Sequence, residues 1–125
     1  MTGITGLHHV SLIVADTARA LAFYQGVLGL EVDPARPELG FPGAWLSLGG
    51  RQLHLLELPN PDSVKDRPVH GGRDRHTAVT VSDLDAFITR LDRAGVPFSR
   101  SKSGRRALFC RDPDGNAWEL IGPPQ

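Results

Sequence analysis

Between His9 and Val14 the side chains alternate, with Val10, Leu12 and Val14 on one face and His9, Ser11 and Ile13 on the other. This two-residue period predicts a half-buried strand over residues 8–14. A helical spacing follows, in which Ala20, Leu21, Phe23, Tyr24 and Val27 make one broad apolar side. Asp16 stands where an N-cap carboxylate meets the open amides of a first turn. The helix is predicted to run to about Leu28 and to end on Gly29, which tolerates the left-handed conformation. The same succession begins again at His76. Residues 76–81 alternate, Asp83 caps, and Leu84, Phe87, Ile88 and Leu91 fall at i, i+3, i+4 and i+7 before Gly95. With His9 aligned on His76, each histidine is followed seven positions later by the capping aspartate, Asp16 or Asp83. The chain therefore contains an internal duplication of strand, cap and helix.

The remaining segments complete both copies. In the first, Leu30–Asp33 reads as a short strand and Pro34–Gly43 as a loop. Ala44–Leu48 and Arg51–Leu58 form a hairpin turning on Gly49-Gly50. Residues 59–73 are rich in proline, glycine and charge and have no period, which makes them a linker. In the second copy, strands are expected near Pro97–Arg100, at Arg106–Arg111 and at Asn116–Ile121, the last two joined by the turn formers Asp112-Pro113-Asp114-Gly115. Each half is thus β-α-β-β-β. The prediction is one α+β domain over residues 1–125, with a first module at 1–59, a linker at 60–73 and a second module at 74–125.

Composition narrows the function. Fourteen basic and fourteen acidic residues cancel, so no net field favours nucleic acid or an anionic membrane. No apolar run approaches the roughly 20 residues of a membrane span. The single cysteine, Cys110, has no partner for an internal disulfide, and no basic-then-apolar leader follows Met1. A soluble, cytoplasmic protein is expected.

Four residues occupy equivalent places in the two copies. His9 and His54 come from the first and last strands of one half, and His76 and Glu119 from the first and last strands of the other. All four belong to the faces opposite the more continuous aliphatic sides. Curved toward each other, two such halves would bring three imidazoles and a carboxylate to one point, a ligand set suited to a divalent first-row metal. A lone histidine on a strand is more often a hydrogen-bonded structural residue; matching position in a duplicated unit is what selects these four. His8 and Glu57 fall on the wrong faces, with His8 expected toward the helix layer or frayed at the strand start. His70 lies in the linker and is expected to be solvated. Cys110 shares a face with Leu108 and is expected to be a buried thiol.

The stretches LHHVSLIVADTARALAFYQGVLGLEV, RHTAVTVSDLDAF and FCRDPDGNAWELIG resemble the vicinal oxygen chelate superfamily, which includes glyoxalase I, methylmalonyl-CoA epimerase, extradiol dioxygenases, and fosfomycin- and bleomycin-resistance proteins. The resemblance implies a glyoxalase-like fold, in which two βαβββ modules form a curved mixed sheet around a metal cavity, commonly in a homodimer. Carried over by motif, the metal ligands are again His9, His54, His76 and Glu119, with Glu119 also the candidate catalytic base. The implied cofactor is a divalent ion (Ni, Zn, Mn, Co or Fe), and the implied partners are a small oxygenated substrate and a second copy of the chain. Lyase or isomerase chemistry of the glyoxalase type is the leading expectation. The alternatives are an Fe(II) extradiol-type dioxygenase and a non-catalytic binding protein of the bleomycin-resistance type. His54 stands where glyoxalase I and the epimerase usually carry Glu or Gln. Arg51, Arg73, Arg75, Arg105 and Arg106 leave room for an anionic ligand.

Overall fold

The computed structural model describes residues 2–124. Its first half contains β1 (His9–Val14), α1 (Thr17–Tyr24), β2 (Val32–Asp33), β3 (Gly43–Leu48) and β4 (Arg51–Glu57). The second contains β5 (His76–Thr80), α2 (Leu84–Arg93), β6 (Phe98–Arg100), β7 (Ala107–Arg111) and β8 (Ala117–Ile121). The duplication read from the sequence is a duplication of topology. Each half is a four-stranded mixed sheet, ordered β1-β4-β3-β2 in one and β5-β8-β7-β6 in the other. In both, the first strand runs parallel to the last, and the last three form an antiparallel meander.

Local chemistry sets the element ends. The Asp16 carboxylate accepts from the Arg19 amide at 3.0 Å, and Asp83 does the same for Ala86 at 3.1 Å. Gly49 and Gly50 both have positive φ, 52° and 83°, as a two-residue hairpin turn requires. The first helix is shorter than its apolar spacing predicts. It ends at Tyr24, and the next turn is widened, with Leu28 N–H reaching back to the Phe23 carbonyl at 2.9 Å. Gly26 permits this turn: a Cβ there would lie 2.4 Å from the Ala22 carbonyl oxygen, an approach only glycine tolerates.

Side-chain alternation then builds the core. Val14, Leu53 and Leu55 from the first sheet, Leu108, Trp118 and Leu120 from the second, and Phe23, Tyr24, Leu84 and Leu91 from the helices form one contiguous buried cluster. Each fully buried Leu contributes about 1.5–3 kcal/mol relative to exposure. A polar knot ties the halves inside this apolar layer. The Tyr24 hydroxyl donates to Asp112 Oδ2 at 2.6 Å and accepts from Trp118 Nε1 at 2.9 Å. Burial, followed by the Asp112 charge, holds the Tyr24 hydroxyl protonated well above its usual range. Nearby, Asn116 Nδ2 donates to the Ile13 carbonyl at 3.2 Å, joining the turn after β7 to β1.

The linker is not a loose tether. Asp74 accepts from Arg67 Nε and Nη2 and from Arg111 Nη1, each at 2.8 Å, while Arg111 Nη2 donates to the Pro68 carbonyl at 2.6 Å. A single 3-10 turn at Gly71–Arg73 lies on Phe109 of β7, where a Cβ on Gly71 would come within 3.2 Å of the Phe109 side chain. Among the described residues, no helix is long and apolar enough to cross a membrane.

Candidate metal centre

Strand parity places the four candidate donors as expected, on the faces turned away from the core. Leu53 and Leu55 are buried while His54 between them faces outward, half-buried. His9 is exposed at the start of β1. On β8, Trp118 and Leu120 enter the core, whereas Glu119 lies opposite Ala78 of β5 and Phe109 of β7. Packing against these neighbours leaves Glu119 only 5% exposed.

The donors come together as two pairs. His76 Nε2 lies 3.5 Å from Glu119 Oε1. His76 Nδ1 is 2.9 Å from the Asp74 carbonyl, which can only accept, so Nδ1 carries a hydrogen and Nε2 is the ring atom turned toward the carboxylate. At metal–donor distances of about 2.1 Å, two atoms so separated subtend roughly 110° at one ion, close to a tetrahedral angle. This pair fits a divalent cation. Phe109, whose ring lies 5.2 Å from that of His76 and edge-on to it, keeps the imidazole in place.

His9 and His54 pair differently. Their rings stack at 4.0 Å with planes 17° apart, and Trp45 continues the stack on His54 at 4.4 Å and 8°. Stacked imidazoles direct their in-plane lone pairs side by side, so a ring must turn before both address one ion. The chemistry of the pair nevertheless suits ligation. Burial, followed by the nearby His9, His8 and Arg36, lowers the His54 pKa and favours the neutral ring that metals need. His54 Nε2 lies 3.0 Å from Gln52 Oε1, and Gln52 Nε2 donates to Asp33 Oδ2 at 2.8 Å. With the amide in this orientation His54 donates through Nε2 and keeps Nδ1 as its free donor atom, oriented by an Asp33–Gln52 chain behind it.

The four donors do not converge within one chain. Among the described residues, no group of three or more His, Cys, Asp or Glu side chains is placed to hold an ion. The reason is the shared core. Both sheets spend their apolar faces on one cluster, so the donor faces point away from it, and β1 and β5 remain unpaired sheet edges rather than joining into one curved sheet.

The residues set aside behave as follows. His8 precedes β1 and, rather than entering the helix layer, lies exposed with Nδ1 2.9 Å from that of His9. Glu57 accepts from the Thr17 amide at 2.7 Å and so supports the start of α1. His70, expected to be solvated, is instead part of the structure. Its ring accepts from the Gly72 amide at 3.0 Å, lies 3.1 Å from the Arg100 carbonyl, and packs 4.9 Å from Phe109. Cys110 is buried, and burial with the Asp112 charge pushes its thiol up to about 12, which removes it as a nucleophile at neutral pH. Trp45, Gln52, Asp33 and Asp74 support the donors without any signal in the one-dimensional pattern. Their roles depend on which strands lie side by side.

The model of the Glyoxalase/Bleomycin resistance protein/Dioxygenase superfamily matches residues 6–120. The chain belongs to this superfamily. It is 32% identical over 123 residues to Glyoxylase I 4 of Arabidopsis thaliana, covering 94% of this chain and 70% of that protein. It is 31% identical over 121 residues to a lactoylglutathione lyase of Haemophilus influenzae, covering 90% of this chain and 89% of the relative. A crystal structure of a Bacillus anthracis protein described as belonging to the glyoxalase family superposes with a TM-score of 0.82 at 24% identity, covering 99% of both chains. The paired βαβββ architecture is therefore the glyoxalase-like fold.

Proposed function

We propose that the protein is a metal-dependent enzyme of the glyoxalase-like type, performing lyase or isomerase chemistry on a small oxygenated substrate. The observation that carries this reading is the His76–Glu119 pair, with Nε2 and Oε1 3.5 Å apart and neither donor atom bonded to another protein group among the described residues. His9, His54, His76 and Glu119 would hold the ion. The lactoylglutathione lyase among the relatives supports the reaction class.

A bound divalent ion supplies Lewis-acid polarisation of substrate oxygens, worth several kcal/mol at the transition state. The chain's own residues do the rest. Glu119 is the general base, removing a proton from the carbon beside the carbonyl and returning it to the neighbouring position. Burial of the Glu119 side chain between its strand neighbours limits water at that carboxylate. His76 is kept in the tautomer that leaves Nε2 free by its bond to the Asp74 carbonyl.

Because one chain presents two donor pairs, the complete site is assigned to a homodimer. In it the His9–His54 pair of one protomer meets the His76–Glu119 pair of its partner, and the open β1 and β5 edges are covered. The test is metal titration of chelator-treated protein with Ni, Zn, Mn, Co or Fe(II), run alongside sedimentation. One ion per chain in a dimer is expected. Failure to bind any of these ions would overturn the metal assignment, and a monomer that holds metal tightly would overturn the shared site. Turnover is assayed first with methylglyoxal and glutathione. Activity confined to a catechol panel with Fe(II) would identify a dioxygenase instead.

A further inference from the structure

The five arginines that the sequence offers for anion binding are not equivalent once folded. Arg75 is paired with Asp62 at 2.7 Å and Arg106 with Asp85 at 3.0 Å. Arg51 lies in the first half, on β4. Arg73 and Arg105 remain, and they line one cavity of about 350 Å³ together with Lys102. None of these three cations is paired with a carboxylate among the described residues.

The cavity also contains the chemistry of the proposed metal centre. His76 and Glu119 line it, as does Phe109, and the Ser101 and Ser103 hydroxyls stand at the β6–β7 loop beside Lys102. Its wall is built rather than incidental. His70 fastens the linker to β6 through the Arg100 carbonyl, and Gly72 fits closely enough that a Cβ would lie 3.2 Å from Phe109 Cζ. That fit brings Arg73 from the linker and Lys102 and Arg105 from the loop to the same cavity. Its only acidic lining residue is Glu119, whose charge a bound divalent ion would offset. Three cations, with the Ser101 and Ser103 hydroxyls 2.8 Å apart beside them, outnumber the single carboxylate and form a receptor for a group with several equivalent oxygens.

We propose that this cavity is a subsite for an oxyanion group of the substrate, a carboxylate or a phosphate-type group, held by Arg73, Lys102 and Arg105 beside the His76–Glu119 pair. The proposal narrows the substrate of the metal-dependent reading to small anionic compounds, and it rests on that reading for its role in catalysis. Binding of the anion itself does not require the metal, since three cations outweigh the one carboxylate of Glu119.

The test titrates methylphosphonate and acetate separately into the full-length chain, both metal-free and Zn-loaded, following the imidazole resonances of His70 and His76. Saturable shifts are expected with at least one anion. The double substitution Lys102→Gln/Arg105→Gln should weaken that binding on the order of tenfold, while Arg93→Gln on the distant helix α2 should leave it unchanged. All three positions are exposed, so the folded state survives, as circular dichroism would verify. A preference for methylphosphonate identifies a phosphate-type group, and a preference for acetate a carboxylate. No saturable shift, or equal weakening by Arg93→Gln, overturns the proposal. Zinc binding without anion binding would leave the metal reading standing alone. Anion binding without zinc binding would do the reverse.

Discussion

The indole of Trp45 lies flat on the imidazole of His54, with ring centroids 4.4 Å apart and planes 8° from parallel. The only other tryptophan, Trp118, is fully buried and hydrogen-bonded to Tyr24 on the core side. One fluorophore therefore reports on a proposed ligand and the other does not. Addition of Co(II) or Ni(II) is expected to quench a large part of the emission. Trp45→Phe should abolish the response while metal content persists. His54→Ala should weaken binding by about tenfold or more, and His8→Ala should barely change it. Quenching that survives in Trp45→Phe would place the ion elsewhere.

Glu119 is expected to matter more for turnover than for folding. Trp118 and Leu120 supply the packing of β8, whereas the Glu119 carboxylate faces His76. Glu119→Gln keeps shape and an oxygen donor but removes basicity. The metal-free melting temperature should change little, while kcat on a verified substrate should fall on the order of a hundredfold or more. Wild-type turnover would deny Glu119 the base role.

Tyr24→Phe removes one hydroxyl, which leaves the buried Trp118 indole N–H without its acceptor and Asp112 Oδ2 with the Asn116 amide alone. The loss expected in the denaturant midpoint corresponds to about 1–3 kcal/mol. Because these groups join the two halves, loss of a single cooperative transition in Tyr24→Phe would show that the knot couples them. A variant as stable as wild type would show that water replaces the lost hydroxyl.

Acid sensitivity should trace to Asp74. Hydrogen bonds from Arg67 first, and then from Arg111, hold its carboxyl well below the usual carboxylate range against the opposing effect of burial. A depressed folded-state pKa gives stability that is present above the unfolded value of about 3.9 and is lost as the pH falls below it. Asp74→Asn should therefore be destabilising at pH 7, with the gap from wild type closing as the pH is lowered from about 4 toward 2. Since the clamp on the Asp74 side chain also fixes the backbone carbonyl that orients His76, metal affinity should fall in the same variant at pH 7. A gap independent of pH would show that the ion pairs contribute nothing.

Much of this architecture is local, and local features are legible in a sequence. Asp16 and Asp83 cap their helices because a carboxylate satisfies open amides wherever a helix begins, and Gly29, Gly95 and Gly115 take positive φ where the chain must turn. Strand alternation alone assigned His54 and Glu119 to faces opposite the core. Matching positions in a duplicated unit then singled out the four donors. Long-range packing decided the rest. Whether four donors meet depends on where two sheets direct their faces, and one shared core turned both donor faces outward, leaving two pairs where periodicity suggested one cluster. Gly26 permits the widened turn that ends the first helix, since any Cβ there would strike the Ala22 carbonyl, a steric fact that apolar spacing does not encode. The linker carries no period, so its clamp on Asp74 and its fit over Phe109 arise only once distant strands lie beside it. Sorting five arginines into paired and unpaired required Asp62 and Asp85 to find their places. Short-range chemistry is written residue by residue, whereas the partner of a charge or the company of a donor is set by the fold as a whole.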